Sequence, residues 1–263
     1  MIGAPAVLYV ASGFTVGFLV GLTGVGGGSL MTPVLVLGFG IHPAAAVGTD
    51  LLFAAATKSV GTAMHGLVRT VRWRITARLA LGSVPAAALT LLALSRIDMH
   101  GPHVERLISV TLGLALILSA VSLLLRRHVV ARVGAWTSLT PTRVRRLTVL
   151  TGAVVGALVS VSSVGAGALG MTALVLLYPR EPVQRLVGAD IAHAVPLTLL
   201  AGIGHWLLGD VRWPLFGLLL AGSVPGVLLG SLLAARVPDR VLRPLLAAVL
   251  VLAGLRMAMA VLE

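Results

Sequence analysis

No cysteine occurs in these 263 residues, which excludes disulfides, thiol catalysis and Cys-ligated metal centres. Aromatic residues make up only 4%, too few to wall a pocket that stacks on a large planar ligand. Charged residues are also scarce, at 11%, and only eight of them are Asp or Glu. What fills the chain is apolar: 58% of residues are hydrophobic and the mean hydropathy is +1.05. A soluble fold of this length has no interior large enough for that surface, whereas a bilayer accepts it. The apolar stretches run from end to end, so no soluble domain is expected. The first stretch lacks a positive leader and a cleavage site and belongs to a repeat, so it reads as retained membrane segment, not signal peptide.

The net charge of +12 raises the question of nucleic acid. The arginines, however, fall in short loops between apolar stretches, where they set orientation and meet anionic lipid headgroups. The expected environment is the lipid bilayer, with no nucleic-acid partner.

Two stretches repeat each other. GLTGVGGGSL at 21–30 returns as SVSSVGAGAL at 160–169, each a Gly-rich break inside an apolar segment. Val47-Gly48-x-Asp50 returns as Val187-Gly188-x-Asp190, His65 as His205, Val71-Arg72-Trp73 as Val211-Arg212-Trp213, and Gly82-Ser83-Val84-Pro85 as Gly222-Ser223-Val224-Pro225. Aligned without gaps, 47–86 and 187–226 share 14 identities in 40, which marks a duplication. The expected fold is an all-α membrane protein of two homologous repeats. Each has a Gly-interrupted helix or hairpin plus about three full spans. Repeat 1 covers 1–125, a polar linker 126–146, and repeat 2 147–263. The apolar pieces beside the breaks, 29–39, 147–160 and 168–178, fall short of the ~20 residues of a crossing and are expected to be half-helices.

Arginine counts bear on whether the repeats run parallel or inverted. If each broken element is a hairpin returning to its starting side, the loops on one side hold fifteen arginines and those on the other four. If it crosses once, the split is twelve to seven. Positive-inside asymmetry favours the inverted arrangement. Two repeats with interrupted helices are the anatomy of a secondary transporter.

Glycine weakens a helix by roughly 0.5–1 kcal/mol relative to Ala, so the run at 24–28 serves something other than helix stability. Unwound backbone survives in hydrocarbon only where protein or water satisfies it, and the helix start that follows presents free N–H groups to an anion. The candidate substrate-binding residues in the two breaks are therefore Thr23, Gly26, Gly27, Gly28 and Ser29, with Ser162, Ser163, Gly165 and Gly167. Close packing through small residues is the competing explanation. In the span 44–66, at ~100° per residue, Thr57, Gly61, His65 and Lys58 lie within about 80° of Asp50. Lys58 sits near mid-span, where an ammonium needs a partner. Asp50 is about 12 Å away along the axis, too far for direct pairing. The partner is then an anionic substrate or Asp190 of the other repeat. Asp50, His65, Asp190 and His205 are the candidate proton carriers; for the histidines an ordinary satisfied role at a span end is the commoner explanation. His193, three residues after Asp190, lacks the companions a metal site needs, so no metal or other cofactor is expected. Trp73 and Trp213 read as interface anchors, and Pro85 and Pro225 as kinks within spans.

The pattern GLTGVGGGSLMTP at 21–33, VGTDLL at 47–52, TKSVGT at 57–62 and a His before Val-Arg-Trp resembles the TauE/SafE sulfite exporter family over the whole chain. The resemblance implies a multi-pass protein of the bacterial inner membrane that moves small sulfur-containing anions such as sulfite or sulfoacetate, usually outward. In the second break Gly27 is matched by Ala166, Ser29 by Ala168 and Pro33 by Thr172. An anion channel is the alternative, although channels usually show charged rings in an oligomeric pore; a homodimer stays open. A retinal-type protein with Lys58 as Schiff base meets the shortage of aromatics. Enzyme motifs such as His-Glu-x-x-His and Gly-x-Ser-x-Gly are absent, so no catalytic residues are assigned.

Overall fold

The computed structural model describes residues 4–23, 28–67, 69–97, 101–133, 139–233 and 239–259, and these are helical without a strand among them. α1 (Ala4–Thr23) is followed by the short α2 (Gly28–Pro33), which runs on as a π-helical turn, Val34–Gly38. Then come α3 (Pro43–Leu67), α4 (Trp73–Leu94), α5 (Pro102–Val133) and α6 (Pro141–Ser162). The second break leads to α7 (Ala168–Leu177), α8 (Val183–Leu207), α9 (Trp213–Leu233) and α10 (Asp239–Met259). Five stretches are long and apolar enough to cross a membrane: Trp73–Leu94, Val104–Leu125, Pro141–Ser162, Val183–Leu207 and Trp213–Leu233. The protein is multi-pass and all-α.

The expected half-helices at 29–39 and 168–178 are short helices, the first widened to a π turn directly after Pro33, which has no N–H to give the preceding turn. The expectation for 147–160 is overturned. α6 is a full 22 residues, because Thr140 accepts from the Arg143 N–H (3.4 Å), Pro141 opens the first turn, and Arg143, Arg145 and Arg146 ride on helix outside the apolar window. The interval 126–146 is accordingly helical at both ends. α6 stops at Ser163, which adopts the left-handed conformation (φ 59°) while its N–H closes on the Val159 carbonyl at 2.7 Å. Gly165, at φ 120°, continues the break in a region that side-chain-bearing residues avoid.

Glycines bring the helices together. In α1, a Cβ on Gly17 would stand 2.6 Å from the Ser223 carbonyl oxygen, and Gly13 lies against the Leu219 backbone. From the facing side Gly222, Gly226 and Gly230 of α9 lie against the backbones of Val10, Phe14 and Phe18. Numbering rises together on both helices, so α1 and α9 are parallel. α4 and α6 repeat the arrangement: Gly152 lies on Leu79, Gly156 on Ser83 and Gly82 on Val149, again in parallel. The equivalents α3 and α8 instead run antiparallel, with Gly48 against His205 and Asp210, Gly202 against Leu52, and Gly61 against Ile191. One core joins them, with Val47 and Leu51 of α3, Val155 and Val159 of α6, Ala166 of the break, and Ala194 and Leu197 of α8. Outward, Leu81, Leu89, Leu228 and Leu232 are exposed, as lipid-facing residues should be. Trp73 and Trp213 open α4 and α9 and are exposed, as expected of anchors at the membrane surface.

Gly17→Leu places a side chain where backbone now sits. We expect it to destabilise the fold by at least about 1–3 kcal/mol, read as a lower midpoint of thermal unfolding in detergent, while an exposed Leu232→Ala leaves the midpoint nearly unchanged.

Candidate functional site

The centre of the molecule is the antiparallel pair α3 and α8, and it carries the buried charge. Lys58, the chain's sole lysine, is 7% exposed on α3. Asp50 on the same helix and Asp190 and His193 on α8 are also buried. Asp190 exerts the stronger attraction on the Lys58 ammonium and Asp50 the weaker. Both carboxylates act on the one ammonium through the low dielectric of the interior. The partner read from sequence as a structural possibility, Asp190, is present.

Each carboxylate also touches a half-helix. Thr32 Oγ1 of α2 donates to Asp50 Oδ2. Ser163, in the break of the second repeat, turns its hydroxyl to the same carboxyl without completing a well-aligned bond. Asp190 Oδ1 lies against α7, where a Cβ on Gly170 would come within 2.6 Å of it. His193 Nε2 pairs with Ser83 Oγ of α4 at 2.7 Å. Lys58, Asp50, Asp190, His193, Thr32 and Ser163 thus form one enclosed polar cluster within an apolar surround.

Other predicted residues lie in the break or apart from the cluster. Ser162 is buried with its hydroxyl committed locally, donating to the Leu158 carbonyl (2.8 Å) and accepting from the Val164 N–H (3.3 Å). The Gly165 and Gly167 carbonyls accept from the N–H groups of Gly170 (3.2 Å) and Met171 (3.3 Å), which leaves the first N–H groups of α7 at its open end. His205 differs from an interfacial histidine. It is fully buried, with Nε2 on the Ser160 carbonyl (2.8 Å) and Nδ1 facing Asp210 (3.4 Å), so it fastens α8 to the end of α6. Gly26 and Gly27 lie outside the described residues, as do the side chains of Thr23, Ser29 and His65 and the surroundings of Gly28. Thr32 and Ser83 were not among the expected site residues. Ser83 had a signal, being part of a repeated polar-in-apolar motif; Thr32 had only its place just after the break.

At one end of the molecule Arg72 bonds Glu181 across the repeats (Nη2, 2.9 Å), with Arg185 at 3.9 Å. Beside it Arg78 reaches the Tyr178 hydroxyl (3.1 Å), which in turn meets Thr148 (2.8 Å). The corresponding residues at the other end differ. Arg212 aligns with Arg72 and borders a groove of about 470 Å³ with Tyr9, Ile41 and Trp213.

Comparison with known proteins yields a match of residues 9–257 to the family described as Sulfite exporter TauE/SafE. The chain is 39% identical over 217 residues to the probable membrane transporter protein YjnA of Bacillus subtilis (strain 168), covering 82% of this chain and 85% of that protein. A shorter likeness, 40% over 78 residues, links it to the probable membrane transporter protein YunE of the same organism, covering 30% and 27% of the two chains. No solved structure gives a significant match.

Thr32→Val keeps the shape of the side chain and removes the donor to the buried Asp50 carboxyl. We expect a loss of about 1–3 kcal/mol in stability, seen as a lower unfolding midpoint, with Thr32→Ser restoring most of it.

Proposed function

The chain belongs to the sulfite exporter TauE/SafE family of membrane transporters, and on that premise we propose that it carries small sulfur-containing anions, sulfite or an organosulfonate such as sulfoacetate. The reading rests above all on Lys58. A lone lysine buried among two carboxylates in mid-membrane is an ion site before it is a packing element. Substrate exchanges for carboxylate at the Lys58 ammonium. The N–H groups of the two breaks, at Gly26–Ser29 and Gly165–Ala168, with the hydroxyls of Thr23 and Ser163, complete its coordination from the half-helix ends, while Ser162 shapes the second break through its local bonds.

The same reading takes the two repeats as inverted. Antiparallel packing of the equivalents α3 and α8 supports it, as does the arginine asymmetry of the loops. Alternating access then means that the two ends open in turn about the central pair. The Arg72–Glu181 bond holds one end, and the Arg212 groove lies at the other. In a bacterial inner membrane with the arginine-rich side within, outward movement of net negative charge runs with the membrane potential.

The experiment is uptake and efflux of labelled sulfite and sulfoacetate in proteoliposomes. Lys58→Ala is expected to cut saturable flux by about 10- to 100-fold, the worth of one or two charge-assisted bonds, with Lys58→Arg retaining part of it. Undiminished flux in Lys58→Ala overturns this site.

A further inference from the structure

The enclosed cluster sets two buried carboxyl groups around a single ammonium before any substrate arrives. Among the described residues, α3 supplies Asp50 and Lys58, and α8 supplies Asp190 and His193. Around them, α2 offers the Thr32 hydroxyl, the second break Ser163 and α4 Ser83, none of which carries charge. One ammonium faces two carboxylates, and an incoming anion adds at least one further negative charge. Uncompensated charge in such a place is costly, and a buried group sheds it by changing its protonation. From this charge balance we propose that the anion enters the cluster together with a proton, so that the protein is an anion–proton symporter. The proposal rests on the anion reading above.

Asp190 is the carrier the geometry selects. It is the stronger partner of Lys58, so it is the carboxylate an anion must displace from the ammonium. Asp50 keeps its Thr32 donor throughout. As the anion takes the ammonium, the freed Asp190 carboxylate accepts a proton from the open side and becomes a neutral acid; on release the proton leaves and the ion pair with Lys58 re-forms. Atoms and charge balance, with one proton moving for each exchange at Lys58. Asp190 also lies against Gly170 of α7, so its two states are presented directly to the half-helix that follows the second break. An empty cluster with Lys58 paired and a loaded cluster with Asp190 protonated are the two states in which the carrier moves; their charge is equal for a monoanion such as hydrogensulfite, and a dianion such as sulfoacetate carries one net negative charge across with its proton.

The test uses the full-length protein in vesicles with a pH-sensitive dye trapped inside, and protein-free vesicles as baseline. An inward gradient of sulfoacetate, fully ionised near neutral pH, is expected to acidify the lumen. An imposed acid-outside gradient is expected to speed uptake. In Asp190→Asn, exchange of labelled for unlabelled anion is expected to persist at a reduced rate, while net flux driven by the pH gradient falls by about tenfold or more. Wild-type anion flux that leaves luminal pH at baseline overturns the proposal, and that arm needs no variant to fold. Proton movement that survives Asp190→Asn but is lost in His193→Gln overturns the choice of carrier. Absence of flux and of exchange for both sulfite and sulfoacetate overturns the substrate reading instead, and the symport with it.

Discussion

An ammonium taken out of water must be met by opposite charge, and the architecture follows from meeting it. Lys58 finds its main counter-charge on a helix of the other repeat, Asp190, and a second on its own helix, Asp50. That requires α3 and α8 to lie close along their length, and glycines make the approach possible. Gly48 accepts the His205 side chain and the Asp210 carbonyl, Gly188 the Thr70 carbonyl, and Gly202 the Leu52 side chain. Once this pair is fixed, the half-helices have to pack against it, since the carboxylates reach them through Thr32 and Gly170.

Lipid tails are as apolar as leucine, so hydrophobic side chains alone do not drive helices together in a bilayer. The outer pairs solve this with backbone-on-backbone contact, α1 on α9 and α4 on α6, through glycines spaced four apart. The polar work is kept at the centre and the strength of assembly at the sides. The flanks rest on glycine against backbone, and Ser83, at the edge of one of them, faces inward to His193.

Much of this was legible in the sequence, for physical reasons. Hydropathy located the helices, because every crossing must be apolar. The two breaks stood out because a run of glycines weakens the helix it interrupts. Lys58 and the aspartates stood out because charge is so rarely placed there. What was not legible depended on partners distant in sequence. The length of α6 escaped because hydropathy ends at Arg146, while helical hydrogen bonding carries on to Pro141. The pairing of His205 with the Ser160 carbonyl joins two helices of the second repeat 45 residues apart, which no local pattern encodes. Only the fold shows that the stripes Gly13-Gly17-Gly21 and Gly222-Gly226-Gly230 face each other.

That last pairing has a bearing on how the protein comes to exist. The first helix of each half is clasped by a helix of the opposite half: α1 by α9, and α6 by α4. Gly13 leaves the ribosome 206 residues before the Leu219 backbone it rests on. At ~5–20 residues per second the first helix waits roughly ten to forty seconds in the membrane with its glycine stripe uncovered. Neither half can complete itself alone, so a truncated chain is not half a transporter but a set of helices each missing its mate. Biogenesis ends with a closing step in which the newest helices capture the oldest.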